Sequence, residues 1–244
     1  MDSSITASLL SNLQHPSEEV RRSAFERIKG MGPEARILSG DLLRLLIGGH
    51  DKYAWIGETL FCIGANQDCL PLVLQALKHQ EGFVRFWAAR TCVASGLALE
   101  GAIPALIDSL IDNEIPVMDS AVWALRQMGK PGLKALISTM KVGENGLRRR
   151  AALAISRYID DVEIKIPPLV ELLDHDDKLV RITAALAITF LKDGVTRAGK
   201  MGNYELDRAA ALAWPLILEG AKLKSDAYLE SWCNYFKNGS KIDL

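Results

Sequence analysis

The chain has 244 residues, of which 49% are hydrophobic and 24% are charged, and its formal net charge is −1. This is the composition of an ordinary soluble globular protein that is long enough to bury a sizeable core. A charge so close to neutral argues against bulk electrostatic capture of nucleic acid, because a domain that binds in this way is usually strongly basic.

The N-terminal stretch MDSSITASLL has neither a basic segment nor a long apolar segment. No run approaches the roughly 18 apolar residues of a membrane span. The cysteines form no CxxC pair and have no histidine at zinc-finger spacing. We therefore expect a cytoplasmic protein with buried free thiols, no membrane contact, no metal and no cofactor. The four cysteines are Cys62, Cys69, Cys92 and Cys233.

Two amphipathic helices joined by a short break form a unit that recurs along most of the chain. Residues 103–129 are its clearest copy. One position in the second helix of each copy is small, except in the second copy, and consecutive positions of this kind are 30 to 33 residues apart. A near-constant period of this length is typical of a helical solenoid. These anchor positions are Ala24, Ile56, Ala88, Ala121, Ala151 and Ala184.

Proline and glycine mark the ends of the predicted helices. Pro71, Pro104 and Pro167 stand at the same place in the first turn of a first helix, where a missing N–H is tolerated. Glycines follow most second helices and predict their C-terminal ends. The break of the second copy, residues 48–53, is loose and predicts a local distortion. The predicted terminating glycines are Gly30, Gly64, Gly96, Gly129 and Gly194.

Beyond Gly194 the repeat pattern lapses. A loop from Val195 to Asn203 and two aromatic-rich helices, at about 204–222 and 225–237, are predicted there. An end repeat has no neighbour on one side, so an atypical cap is expected. The sequence thus predicts an all-α, right-handed α-solenoid in a single domain, residues 1–244. About six helix pairs occupy residues 5–194, and the loop and helical cap occupy residues 195–244.

The second helices open with a Val-Arg step that follows an acidic turn, as in LLDHDDKLVR. Together with the period, the prolines and the small anchors, this step resembles the HEAT-repeat family, in its short bacterial form related to phycobilin-lyase repeats. The resemblance covers about residues 5–194. It implies that the arginines tie neighbouring repeats together through acidic groups of the turns, and that Met118 and Tyr53 interrupt this ladder. The ladder arginines are Arg21, Arg85, Arg148 and Arg181.

No catalytic constellation emerges from the sequence. Residues 194–200 match GxxxxGK in spacing, but a helix precedes them and Met201 follows, so a phosphate-binding loop is excluded. His15, His79 and His175 recur at one turn position, which indicates polar turn residues better than metal ligands. We predict no catalytic residue.

A stripe of the second helices departs from the polar residues usual in this family. It comprises the positions two and six residues after the Val of the Val-Arg step. Second helices line the concave face of such solenoids, and an apolar strip rimmed by charge there indicates a binding surface. The alternative is that the stripe is buried or covered by the C-terminal cap. The predicted binding residues are Phe86, Arg90, Asp119, Trp123, Arg149, Leu153, Ile182 and Leu186.

These patterns favour a non-catalytic scaffold or adaptor that holds a protein or peptide on the concave face. The family resemblance leaves an alternative, a phycobilin-lyase-like subunit that handles a linear tetrapyrrole (bilin). HEAT-like DNA glycosylases use tryptophans and an Asp, which Trp55, Trp87, Trp123 and Asp119 match in type. The net charge argues against that nucleic-acid-binding role.

Overall fold

The structure, a computed structural model, describes residues 3–48, 54–158, 160–198, 203–222 and 226–239. Helices account for nearly all of these residues, and no strand occurs among them. The α-helices are α1 (Ser3–Leu13), α2 (Glu18–Met31), α3 (Ser39–Ile47), α4 (Ala54–Ile63), α5 (Leu70–Leu77), α6 (Gly82–Ser95), α7 (Ile103–Asp108), α8 (Ile115–Gln127), α9 (Lys130–Val142), α10 (Asn145–Ser156), α11 (Val162–Glu171), α12 (Lys178–Arg197), α13 (Tyr204–Gly220) and α14 (Ala227–Gly239). Five short 3₁₀ segments adjoin them, at Gly32–Leu38, Gln67–Cys69, Gly96–Ala102, Ser109–Ile111 and Leu172–Asp174.

The helices follow the predicted order of pairs. The pairs run from α1 with α2 to α11 with α12, and α13 and α14 stand where the two C-terminal helices were predicted. The predicted all-α solenoid fold of six helix pairs and a helical C-terminal segment is therefore confirmed for the described residues. Its right-handed sense stays a prediction. The loose break at 48–53 falls mostly on residues 49–53, which lie outside the described residues.

The chain divides into two compact units, Met1–Leu133 (unit 1) and Lys134–Leu244 (unit 2). In unit 1 the second helices α2, α4, α6 and α8 pack in a row, and α3, α5 and α7 form a second row beside it. In unit 2, α12 packs against α10 and α11 and along α13, and α14 packs against α12 and α13. The predicted organisation as a single domain stays a prediction.

The small anchor positions lie at the centre of these contacts. All six anchors are buried, and Ala24, the most accessible of them, is only 3% exposed. A small side chain at this point lets two helix backbones approach closely. In the second copy Ile56 occupies the anchor position. It is as fully buried as the alanines, so the packing accommodates it.

Three of the predicted terminating glycines end their helices. Gly64, Gly96 and Gly129 have positive φ angles of 73°, 54° and 61°, which glycine adopts at little cost. Gly30 instead lies inside α2, which ends at Met31 before Gly32 (φ 57°). The predicted terminus at Gly30 is thus wrong by two residues.

Gly194 does not end its helix either, and the loop predicted from Val195 begins only after α12 ends at Arg197. Val195 is buried, 5% exposed, so burial holds the last turn in place. An ion pair between Arg197 Nη2 and Asp193 Oδ2 (2.9 Å) adds to it. Tertiary contact overrides the glycine signal here, because one glycine costs a helix only about 1 kcal/mol.

One stretch, Gly82–Ile111, is long and apolar enough to match a membrane span in length and composition. In the structure it is not one continuous helix. α6 ends at Ser95, Gly96 takes a positive φ angle, and Leu99 has non-helical backbone angles before α7 begins. α6 packs between α4 and α8 as a core helix of unit 1.

The ladder arginines bind first to the turn that precedes their own helix. Arg21 Nη1 donates to the carbonyl oxygens of His15 and Pro16, at 2.7 Å each. Arg181 Nη1 donates to those of His175 (2.8 Å) and Asp176 (2.9 Å). These bonds satisfy carbonyl groups at the turn, which would otherwise lack partners.

Arg148 makes the equivalent bonds in a turn without histidine. Its Nε and Nη1 donate to the carbonyl oxygens of Gly143 (2.6 Å) and Met140 (3.1 Å).

The three turn histidines share a hydrogen bond of their own side chains. Nδ1 of His15, His79 and His175 accepts the backbone N–H two residues later, at 3.0–3.1 Å. Their interpretation as polar turn residues therefore agrees with the geometry.

Arg85 alone among the four ladder arginines pairs with an acidic group in the described part of the chain. Its Nε and Nη2 donate to the two carboxylate oxygens of Asp112, at 2.6 and 2.9 Å, while Nη1 donates to the carbonyls of His79 and Gln80. Asp112 stands five residues before Val117, where other copies carry histidine. The implied tie between repeats is thus correct for Arg85 and wrong for Arg21, Arg148 and Arg181, whose turns offer carbonyl oxygens instead. Tyr53 lies outside the described residues, and Met118 lies half-buried beside this pair's turn.

The hydrogen bonds from Arg85 hold the pKa of Asp112 below its usual value. A carboxyl group with a lowered folded-state pKa stabilises the fold above its unfolded pKa, and this contribution is lost as the pH falls through the folded pKa. We expect Asp112→Asn to reduce the free energy of unfolding by about 2 kcal/mol near neutral pH. The difference from wild type should shrink as the pH falls below about 4. Urea unfolding at several pH values measures it.

The control for this experiment is Asp41→Asn, which removes an exposed pair between Asp41 and Arg44 (2.8 Å). Exposed pairs contribute little, so this variant should unfold like wild type. A difference for Asp112→Asn that stays constant from neutral to acid pH contradicts the assignment.

Candidate functional site

Two of the four predicted stripe residues of unit 2 are inaccessible. Ile182 and Leu186 are fully buried, so their assignment to an exposed binding stripe is wrong. The guanidinium of Arg149 is also engaged: Nη2 donates to Asp226 Oδ2 (2.6 Å) and Nε to Thr183 Oγ1 (3.2 Å). Leu153 lies half-buried in α10.

The C-terminal helices cover this part of α12. Ile182 lies so close to Gly220 of α13 that a Cβ at Gly220 would come within 2.8 Å of Ile182 Cγ2. Further along α12, Phe190 packs edge-on against Trp232 and Phe236 of α14, with ring centroids 4.8 and 5.0 Å apart. The alternative interpretation of the stripe therefore holds at two positions: Ile182 is buried beside α13, and Leu186 is buried as well.

The stripe residues of unit 1 do come together. Arg90 of α6 lies beside Trp123 of α8, and its guanidinium carbon is 4.5 Å from the Trp123 ring centroid. Phe86, one helical turn before Arg90, is 5.8 Å from the same carbon. Trp123 is 37% exposed and Phe86 is half-buried. Asp119, one turn before Trp123 on α8, is exposed.

Phe61 of α4 completes this group and was missed by the sequence analysis. Its ring centroid is 4.1 Å from the Arg90 guanidinium carbon and 5.8 Å from that of Trp123. The signal was present, because Phe61 follows the stripe position Glu58 by three residues, one helical turn along the same face. We call Phe61, Phe86, Arg90 and Trp123 the Arg90 cluster.

Packing beneath the cluster fixes its rings. Trp87 stacks edge-on against Phe86, with centroids 5.0 Å apart. The Trp87 ring lies directly over Gly57 of α4, where a Cβ would overlap it. Glycine at this point therefore lets α6 bring the indole onto α4 and sets the direction of the adjacent Phe86.

Arg90 has an unsatisfied donor. Its Nε is buried and has no hydrogen-bond partner in the structure. Burial lowers the pKa of the Arg90 guanidinium from its ordinary value, although arginine stays protonated at any physiological pH. The rings attract the cation through their quadrupoles, which offsets part of its desolvation.

Unit 2 contains a buried cation, Lys165, whose ammonium group does have hydrogen-bond acceptors. Lys165 of α11 is fully buried, and its Nζ donates to the carbonyl oxygens of Tyr158 (2.8 Å) and Asp160. These bonds close the turn between α10 and α11. Lys165 therefore has a structural role that its sequence position did not reveal.

Unit 2 also contains a cavity of about 590 Å³ between α13 and the turn that precedes α12. Sequence reasoning did not find it, because its two apolar walls come from segments 40 residues apart. Its lining combines leucine and valine with the polar residues of the turn: Val170, Leu173, Asp174, His175, Asp176, Arg181, Leu212 and Leu216.

The thiols offer little nucleophilic chemistry. Burial raises the pKa of Cys92 and of Cys233 to about 12, so neither forms a thiolate readily near neutral pH. Cys69 is buried as well, whereas Cys62 is exposed, contrary to the expectation of buried thiols. Within the described ranges, no group of three or more His, Cys, Asp or Glu side chains is placed to hold a metal ion.

The described helices thus define an all-α helical repeat protein of the solenoid class, with a cation–aromatic cluster on the second helices of unit 1. Neither a protein-family model nor a curated protein matches the sequence. Three of the solved structures to which the chain is similar are engineered or designed proteins. One is an engineered protein of the Northeast Structural Genomics Consortium (18% identity, 96% of each chain covered, TM-score 0.40).

The second is a designed armadillo repeat protein in complex with the peptide (KR)4 (17% identity, 93% of this chain and 95% of that one, TM-score 0.36). The third is described as computationally designed armadillo repeat proteins for modular peptide recognition (17% identity, 93% and 96% covered, TM-score 0.39). The assignment of the fold rests on the helix pairs of the chain itself.

The cover of α12 is tested by Gly220→Ala. The added methyl group must displace both Cys233 and Ile182, so we expect the free energy of unfolding to fall by about 1–3 kcal/mol. Alkylation of Cys233, followed by mass spectrometry, should become faster as the helices loosen. Gly146→Ala, which meets nothing within 4 Å on α10, is the matched control and should raise stability slightly. Unchanged stability and alkylation in Gly220→Ala contradict the close packing.

Proposed function

We propose that this chain is a non-catalytic scaffold that binds a protein or a peptide at the Arg90 cluster of unit 1. The observation that carries this proposal is the partly exposed Trp123 beside an arginine with an unsatisfied donor. Tryptophan and arginine are enriched among the residues that dominate binding energy at interfaces. An exposed aromatic group with a charged centre is also more typical of a contact surface than of ordinary solvated surface.

Binding rather than catalysis is supported by the state of the reactive groups. His15, His79 and His175 each use Nδ1 and the main-chain carbonyl in turn geometry. The Cys92 and Cys233 thiols are held in the protonated form by burial. The hydrogen bonds of these histidines and the burial of these thiols serve the fold, which supports binding at the Arg90 cluster rather than catalysis by these groups.

Membership of the HEAT type is part of the same proposal. It is supported by the arginine of the Val-Arg step, which binds turn carbonyls in the first, third, fifth and sixth copies. The concave location of the second helices is proposed with it.

A peptide display selection on the immobilised full chain tests this function. Peptides that enrich on wild type are synthesised, and their Kd values are measured by fluorescence anisotropy. We expect Trp123→Ala to raise Kd at least about tenfold, as truncation of a central aromatic contact does. Circular dichroism establishes that the variant is folded.

Leu97→Ala is the matched control, because Leu97 is a 60% exposed apolar residue of unit 1 outside the cluster. Its Kd should equal that of wild type. A selection that enriches no peptide, or peptides that bind Trp123→Ala as tightly as wild type, overturns the proposal.

A further inference from the structure

The charge of Arg90 lacks a counter-ion within the described residues. No acidic oxygen lies within ion-pair distance of its guanidinium there, and no neighbouring charge contributes to its pKa shift. Glu58 holds the same stripe position on the adjacent helix α4, yet it does not pair with Arg90. Instead the Phe61 ring lies 4.1 Å from the guanidinium carbon. Among the described side chains, this partly desolvated cation thus has rings, but no anion, as its neighbours.

Phe61 and Trp123 do not enclose the Arg90 guanidinium between them. Phe61 and Trp123 lie 4.1 and 4.5 Å from its carbon, and their own centroids are only 5.8 Å apart. Two rings on opposite faces would be separated by the sum of the two distances. Phe61 and Trp123 therefore do not enclose the guanidinium between opposite faces, and Arg90 is only half-buried. The planar fork of its donors matches a carboxylate.

We infer that the Arg90 cluster binds the carboxylate of a glutamate or aspartate side chain in a partner peptide, with a neighbouring apolar residue packed on Trp123. This inference rests on the proposed function and names the partner's chemistry. One carboxylate balances the single charge of Arg90. The exposed indole of Trp123 provides the adjacent apolar contact.

Charge distinguishes this ligand from other anions. A phosphorylated side chain carries about −1.5 to −2 charges near neutral pH, more than one guanidinium neutralises. Asp119 is exposed one helical turn from Trp123, and the net charge of the chain is −1. Both features disfavour a polyanion such as nucleic acid, which binds through many cations.

The test uses peptides that enrich on the wild-type chain and lose affinity for Trp123→Ala. We expect them to contain glutamate or aspartate next to an apolar residue. Replacement of that glutamate by glutamine in the peptide should raise Kd for the wild-type protein about tenfold. This arm needs no protein variant, so it stays decisive if a variant fails to fold.

A double-mutant cycle assigns the loss to Arg90. Arg90→Met keeps the length of the side chain without its charge, and it should raise Kd for the glutamate peptide about tenfold and hardly at all for the glutamine peptide. Arg90→Lys keeps the charge but loses the planar fork, so its Kd should lie between those of wild type and Arg90→Met.

The failures of the inference and of the proposed function are distinguishable. Peptides that depend on Trp123 but lack an acidic residue, or that tolerate glutamine, overturn the inference alone. Tighter binding of a phosphoserine peptide than of the glutamate peptide also overturns it. The inference is also overturned if the wild-type chain binds a fluorescent oligonucleotide and Arg90→Met does not. A selection without any Trp123-dependent peptide overturns both.

Discussion

Close approach of neighbouring second helices is the constraint on which the rest of the structure depends. The buried alanine anchors, Ala88 and Ala121 in unit 1, put no bulk between the helices. α4, α6 and α8 therefore pack directly against one another, and side chains beside the anchors reach the next helix instead of solvent. This spacing brings Phe61 and Trp123 onto Arg90. A larger residue at Ala88 or Ala121 would push α6 and α8 apart, whereas the Ile56 anchor of α4 is already accommodated in the packing.

The turns between the helices follow a second rule, in which arginine satisfies main-chain carbonyl groups. The bonds from Arg21 and Arg181 stay within their own turns, so each helix pair is closed by its own residues. Arg85 adds a carboxylate only because Asp112 replaces histidine in the next turn. The ladder arginine thus joins two repeats where the turn of the next repeat supplies a carboxylate. The repeat is conserved in its backbone bonds and variable in its ion pairs.

The sequence predicted the parts of the fold that local pattern determines. Helical period, small anchors and the glycines with positive φ angles gave the helix pairs and most of their ends. The sequence did not predict features that depend on segments distant along the chain. Gly194 stays helical because Val195 is buried, and Ile182 is buried beside Gly220 of α13, 38 residues further along the chain. For the site, the equivalent positions of Arg90 and Trp123 in neighbouring copies placed them together, but the contribution of Phe61 required the spacing between helices.

Three cations in the structure show why residue type alone does not identify a binding site. Arg149 donates to Asp226 and Thr183, and Lys165 donates to two carbonyl oxygens, so each charge has its partners within unit 2. Arg90 instead lies among aromatic rings with Nε unsatisfied. A buried charge without a hydrogen-bonding partner is costly. Arg90 is half-buried and its Nε lacks a partner, so the rings of unit 1 offset only part of its desolvation, and the carboxylate proposed as its ligand would offset more.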